Sequence, residues 1–143
     1  MRPVIAPENV ILDSRAGSKR AALSEMIGRL KSMDPDQVME LVMARERLGS
    51  TGIGHGVALP HCRMPGLTRP VVVLLRHRRG IDFDAIDGRP VHLVVLLLVP
   101  DDDDRGHLDL LARLARRLQS ADLRRRLMEL EDPEEVSALF REE

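Results

Sequence analysis

Two largely apolar runs, Val71-Val72-Val73-Leu74-Leu75 and Val91-His92-Leu93-Val94-Val95-Leu96-Leu97-Leu98-Val99, constrain this chain more than anything else in it. A strand with one face in water alternates apolar and polar residues, because successive side chains point to opposite faces. These runs do not alternate, so each reads as a strand buried on both faces. A sheet built on them needs a helical layer on each side. Helical patterns occur before, between and after the strands, and the chain reads as a three-layer α/β domain. Its 143 residues suit one domain, taken as residues 1–143.

Local signals place the helices. Ser18 opens one with Leu23, Met26, Ile27 and Leu30 on a single face. Asp34-Pro35-Asp36-Gln37 opens a second: Asp34 as N-cap, Pro35 as first helical residue and Gln37 as capping-box partner. Val38, Leu41 and Val42 form its buried face, and Gly49 ends it after about Leu48. A third is expected over 107–118, with Leu108, Leu111, Ala115 and Leu118 inward, after a polar loop over 101–105. Two more follow, over 122–130 and after Asp132-Pro133. Val10-Ile11-Leu12 and Val57-Ala58-Leu59 read as short strands, and the punctuated segment 81–90 as turns.

Composition removes several function classes. Lys+Arg (22) and Asp+Glu (23) nearly cancel, against the basic excess of a nucleic-acid binder. Two Phe, no Trp and no Tyr leave no aromatic platform for bases or sugars. The single cysteine, Cys62, excludes an internal disulfide and fits a reducing compartment. The first residues lack the apolar core of a signal peptide, and the longest apolar run, 93–99, is far short of a membrane span. A cytoplasmic location without membrane insertion is expected.

The chemistry concentrates in Arg45-Glu46-Arg47-Leu48-Gly49-Ser50-Thr51-Gly52-Ile53-Gly54-His55-Gly56-Val57-Ala58-Leu59-Pro60-His61. An imidazole is nucleophilic at neutral pH, with an ordinary pKa of about 6.5. One ring nitrogen can attack phosphorus while the other keeps its proton on an acceptor. Phosphoryl transfer needs positioning and charge stabilisation more than covalent chemistry. Gly52, Gly54 and Gly56 could supply a backbone cradle for the anion. Arg45 could grip an oxygen with its planar fork. His107 follows Gly106 at an expected helix start, where the potential favours anions.

Several other readings fail. Residues 52–56 lack the G-x-G-x-x-G spacing for dinucleotides, and no G-x-x-x-x-G-K-[ST] loop for ATP occurs, so no cofactor is expected. A calcium loop starting at Asp101 would place Arg105 and Ala112 at ligand positions. His61 and Cys62 are adjacent and lack metal-site spacing, so no metal is expected. His55, His77 and His92 read as surface or strand-edge residues, and Arg124-Arg125-Arg126 as a solvated helix face. The hydroxyls of Ser50 and Thr51 could bind phosphate or hold the turn.

The segment 45–61 resembles the active-site motif of the EIIA domains of the bacterial phosphotransferase system, of the fructose/mannitol class and its nitrogen-type branch. The likeness extends to Ser18-Lys19, Phe83-Asp84-Ala85-Ile86-Asp87, Leu98-Val99-Pro100 and His107-Leu108-Asp109-Leu110-Leu111, covering nearly the whole chain. It implies a mixed central sheet with helices on both faces. It also implies that His61, in Pro60-His61, accepts a phosphoryl group through Nε2, with His107 and Arg45 beside it, and it matches Glu46, Gly49, Ser50 and Thr51 to the motif that follows the arginine; the candidate phosphate-binding residues are Ser50, Thr51, Gly52, Gly54 and Gly56. His55 stands where nitrogen-type relatives often have Asn, and Cys62 where they often have Gly.

The implied function is a phosphotransferase component with regulatory output. An HPr-like carrier of the nitrogen-type (NPr) branch would be the donor, and a transporter, kinase or enzyme the regulated partner. Two alternatives stand beside it: a sugar-transport EIIA that passes phosphate to an EIIB, and a binding module without turnover.

Overall fold

The computed structural model describes residues 3–102 and 104–141, with the backbone alone at 104–107. A short 3-10 turn (Pro7–Asn9) precedes β1 (Val10–Ile11), α1 (Lys19–Ile27) and α2 (Pro35–Glu46). Then come β2 (Gly52–Gly54), β3 (Val57–Ala58), β4 (His61–Met64), β5 (Val71–Ile81) and β6 (Val91–Pro100). Three helices close the chain: α3 (Asp104–Leu118), α4 (Ala121–Glu129) and α5 (Pro133–Leu139).

The strands form one sheet in the order β1-β5-β6-β3-β2, and β4 continues along β6 beyond β3. β5 and β6 run antiparallel, as do β2 and β3, whereas β1, β3 and β4 lie parallel to their partners. The sheet is mixed. The two apolar runs are its centre, and their alternation sorts the core by face. Val72, Leu74, Leu93, Val95 and Leu97 pack with Leu114, Leu118 and Leu127 under α3, α4 and α5. Val73, Leu75, Val94, Leu96 and Leu98 pack with Leu23, Met26, Val38 and Val42 under α1 and α2. Each face is thus closed by helices, the three layers expected of non-alternating strands.

The helix starts follow their capping residues. Ser18 accepts from Ala21 N at 3.1 Å, Asp34 from Asp36 N at 3.0 Å, and Asp132 from Glu134 N at 2.9 Å. Gln37 makes no return bond to the Asp34 cap among the described residues. α2 ends at Glu46, and Gly49 takes φ 152° after the final turn.

Three local expectations change. The third helix begins at Asp104 rather than 107, so the last two residues of the segment read as polar loop belong to it. Leu118 is buried and Leu111 and Ala115 pack against the core as expected, joined by the buried Leu110 and Leu114, while Leu108 is 56 % exposed. Pro60 separates β3 from β4, because a residue without an N–H cannot continue the ladder. His77 is buried within β5 rather than lying at its edge: Nε2 lies 2.8 Å from Ala16 O, and Nδ1 accepts from Gly80 N at 3.0 Å.

Candidate active site

The glycine segment is a hairpin. β2 and β3 pair antiparallel around His55 and Gly56, both at positive φ (57° and 75°), the signature of a type I′ turn. Asparagine is the commonest residue to share that turn with glycine, so His55 is an unusual but admissible occupant. Gly52 serves packing: a Cβ there would stand 2.8 Å from Ala85 Cβ and 2.9 Å from Ala85 Cα.

The register corrects the expected glycine cradle. Gly56 O accepts from His92 N and Leu93 N, and Gly54 lies near Asp87. His61 instead pairs with Leu97. At the rise of a strand that offset is about 13 Å or more, so Gly54 and Gly56 stand apart from the imidazole. The hydroxyls nearby are engaged within the chain. Ser50 Oγ donates to Phe83 O at 2.6 Å and accepts from Gly52 N at 3.0 Å. Thr51 Oγ1 donates to Glu46 Oε2 at 2.5 Å. Each hydroxyl proton is directed at an oxygen of the chain, so Ser50 and Thr51 hold the turn.

Glu46 is the anchor of that turn. Its buried carboxylate also pairs with Lys19 Nζ at 2.5 Å, and the Lys19 ammonium lies 5.1 Å from the centre of the Phe83 ring. The network joins α1, the end of α2 and the entry to β2. Thr51 O in turn accepts from Leu59 N at 3.0 Å, which ties the turn to the residues before His61.

His61 opens β4, half-buried, with Pro60 O accepting from Leu97 N at 2.9 Å. Its Nδ1 lies 2.8 Å from the carbonyl oxygen of Leu59. A carbonyl can only accept, so this contact favours the neutral tautomer with the proton on Nδ1 and the lone pair on Nε2. The ring borders a cleft of about 400 Å³ shared by Arg45 of α2, Leu48 just after it, Cys62 and Arg63 of β4, and Val99 of β6. Arg45 Nη1 donates to Gly49 O at 3.1 Å, which holds its guanidinium at the end of α2. Burial pushes the Cys62 thiol up to about 11, so at neutral pH it is a protonated, weakly reactive wall of the cleft.

His107 belongs by its backbone to the first turn of α3, just after the end of β6 that β4 flanks. Its side chain lies outside the described residues.

Two contributors escaped the sequence. The Leu59 carbonyl carries no side-chain signal. Arg63 stands two residues along β4 from His61, on the same face of the strand. The spacing Pro-His-x-Arg would have pointed to Arg63 had 61–64 been read as a strand.

Residues 3–143 match the family described as Phosphoenolpyruvate-dependent sugar phosphotransferase system, EIIA 2. The chain is a phosphotransferase-system EIIA domain of that family. This EIIA chain is 38 % identical over 131 residues to a nitrogen regulatory protein of Pseudomonas aeruginosa, covering 89 % of the chain and 85 % of the relative. It is 35 % identical over 109 residues to a fructose-specific EIIA component of Haloferax volcanii, covering 76 % and 71 %. The crystal structure of the nitrogen regulatory protein IIA-Ntr from Neisseria meningitidis superposes with a TM-score of 0.91 at 37 % identity, covering 96 % of this chain and 97 % of that one. The EIIA chain is therefore a phosphocarrier of the phosphotransferase system. Its described helices include none long and apolar enough to cross a membrane.

Proposed function

We propose that this EIIA domain takes its phosphoryl group on Nε2 of His61 and works as a nitrogen-type regulator whose phosphorylation state selects its partners. The observation that carries the acceptor assignment is the 2.8 Å contact between His61 Nδ1 and Leu59 O. It holds the proton on one nitrogen and leaves the other nucleophilic. The donor is a phosphohistidine of an HPr-like carrier of the nitrogen-type branch. The bond from phosphorus to the donor nitrogen breaks, its electron pair stays on the donor imidazole, and a bond from phosphorus to Nε2 forms.

Arg45 and Arg63, both lining the cleft, supply positive charge for the equatorial oxygens in a loose transition state. His107, at the start of α3, adds a second imidazole and the favourable potential of a helix N-terminus. Gly52, Ser50 and Thr51 give the turn its shape, and the hairpin carrying Gly54 and Gly56 braces the segment that leads to His61. The nitrogen-type reading is supported by the regulatory name of the Pseudomonas relative and by similarity across nearly all of the chain. Transfer to an EIIB is the competing outlet, supported by the fructose-specific name of the Haloferax relative.

The test is phosphoryl transfer from phosphoenolpyruvate through the first phosphotransferase enzyme and an HPr-type carrier, read by intact mass at alkaline pH. A gain of one phosphate that disappears in His61→Ala is expected, with the nitrogen identified by NMR of the phosphoimidazole. A gain that persists in His61→Ala, or none with any carrier, overturns the assignment. Transfer onward to an EIIB would redirect the function to sugar transport.

A further inference from the structure

A second concave surface lies away from His61, where the C-terminal half of α3 meets α4 and the end of α5. Its volume is about 940 Å³. Five arginines border it: Arg113, Arg116 and Arg117 of α3, Arg126 of α4, and Arg141 after α5. Its floor is apolar, with Leu110, Leu114 and Phe140 buried beneath. No carboxylate lines it among the described residues. In a chain whose charges otherwise cancel, the charged side chains among the described residues lining this groove are all of one sign.

The arginines divide into two kinds. Arg117 is built into the structure: it donates to Leu139 O at 2.6 Å, and its guanidinium carbon lies 5.6 Å from the Phe140 ring centre. Arg116 and Arg126 are exposed and make no side-chain hydrogen bond or ion pair among the described residues. By contrast Arg125, which does not line the groove, is paired with both Asp122 and Glu129. The same helix thus pairs the arginine outside the groove and leaves the groove arginine open.

We propose that this groove docks an acidic protein segment carrying apolar anchors, a partner surface separate from the His61 cleft. The apolar floor takes the anchors, and the rim arginines take carboxylates through their planar forks. Arginine is enriched in protein interfaces for this reason. The groove is rimmed by exposed residues rather than enclosed, which suits a segment laid along it better than a small ligand needing most of its surface covered. The inference stands apart from the role given to His61. Arg113 to Arg117 lie about 9–15 Å along the helix from His107 at a helical rise.

The probe is a short fluorescent peptide of glutamates with interspersed leucines, and its control replaces each glutamate with lysine. Binding is read by anisotropy, and the contact is mapped by amide shifts in 15N-labelled protein. The glutamate peptide is expected to bind saturably, with shifts grouped over 110–126 and 138–141. Arg116→Glu with Arg126→Glu should weaken it by about ten-fold or more, and added salt should weaken it as well. His61→Ala should bind it as the parent does. Both substituted arginines are exposed, and an unchanged melting temperature would show that the double variant is folded. Absence of saturable binding, equal binding by the double variant, or shifts centred on α2 and β4 would overturn the proposal. So would binding of adenosine triphosphate with the peptide left unbound, which would assign the groove to small anions.

Discussion

The carboxylate of Glu46 accepts the hydroxyl of Thr51 at 2.5 Å, closing the turn between the helix that bears Arg45 and the hairpin that leads to His61. The same carboxylate holds Lys19 of α1 at 2.5 Å, so one buried anion fixes three segments. The cleft at His61 owes its shape to this junction as much as to the residues that line it.

Removing that anion should cost stability and activity together. Glu46→Ala leaves Lys19 and the Thr51 hydroxyl without their acceptor in a mostly dry environment, a loss of about 3 kcal/mol. Glu46→Gln keeps one acceptor oxygen and should lose about 1 kcal/mol. Urea denaturation with an unchanged m-value checks both, and phosphoryl transfer to His61 should slow more in the alanine variant.

Gly52→Ala brings a methyl group against Ala85, 2.8 Å from its Cβ and 2.9 Å from its Cα. A cost of about 1–3 kcal/mol is expected from overpacking. Ala85→Gly in the same chain removes one of the two clashing atoms and should recover part of the loss. A double-mutant cycle measured by thermal unfolding reads this coupling. Strict additivity would mean that the two segments separate at no cost.

The Cys62 thiol, pushed up to about 11 by burial, should resist modification. At pH 8 its thiolate fraction is about 100-fold below that of an ordinary thiol, and alkylation should be slower in proportion. Labelling in urea should be fast. The linked stability runs in one direction. The folded state holds the proton more tightly than the unfolded one, so the contribution is full below about pH 9 and disappears as pH rises through about 11. Cys62→Ser should flatten that part of the pH profile.

Arg76 is fully buried in β5. It donates to Leu12 O at 3.0 Å, to Leu127 O at 2.9 Å and to Leu130 O at 2.5 Å, joining the end of β1 to the end of α4. Arg76→Ala leaves these carbonyls unmatched around a cavity and should cost about 3–5 kcal/mol. Arg76→Lys cannot span the same acceptors and should recover only part of this. Chemical denaturation measures the loss. Phosphoryl transfer at low temperature should persist in the fraction that stays folded, because Arg76 is remote from the His61 cleft.

The layers were legible in the sequence because they depend on neighbours a few residues apart. The non-alternating run 91–99 specified a strand covered on both faces, and Ser18, Asp34 and Asp132 marked helix starts through the backbone groups they cap. The spacing of Arg45 and His61 in their motif likewise named two walls of the cleft before any contact was known. The start of α3 was misread because Asp104 and Arg105 look like loop residues, whereas the backbone is already helical at Asp104.

Register lay beyond the sequence. Which residue of β6 stands beside Gly56 and which beside His61 depends on pairing between segments more than thirty residues apart, and a strand's own pattern does not encode its partner. That pairing separates Gly54 and Gly56 from the imidazole, brings Arg45 and Arg63 to the same cleft, and aims Nδ1 of His61 at a backbone carbonyl. The sequence by itself determined the layered fold and the identity of the candidate nucleophile. The tertiary structure decided which of its nitrogens faces a backbone carbonyl and which residues surround it, because both follow from backbone atoms and contacts that no side-chain pattern records.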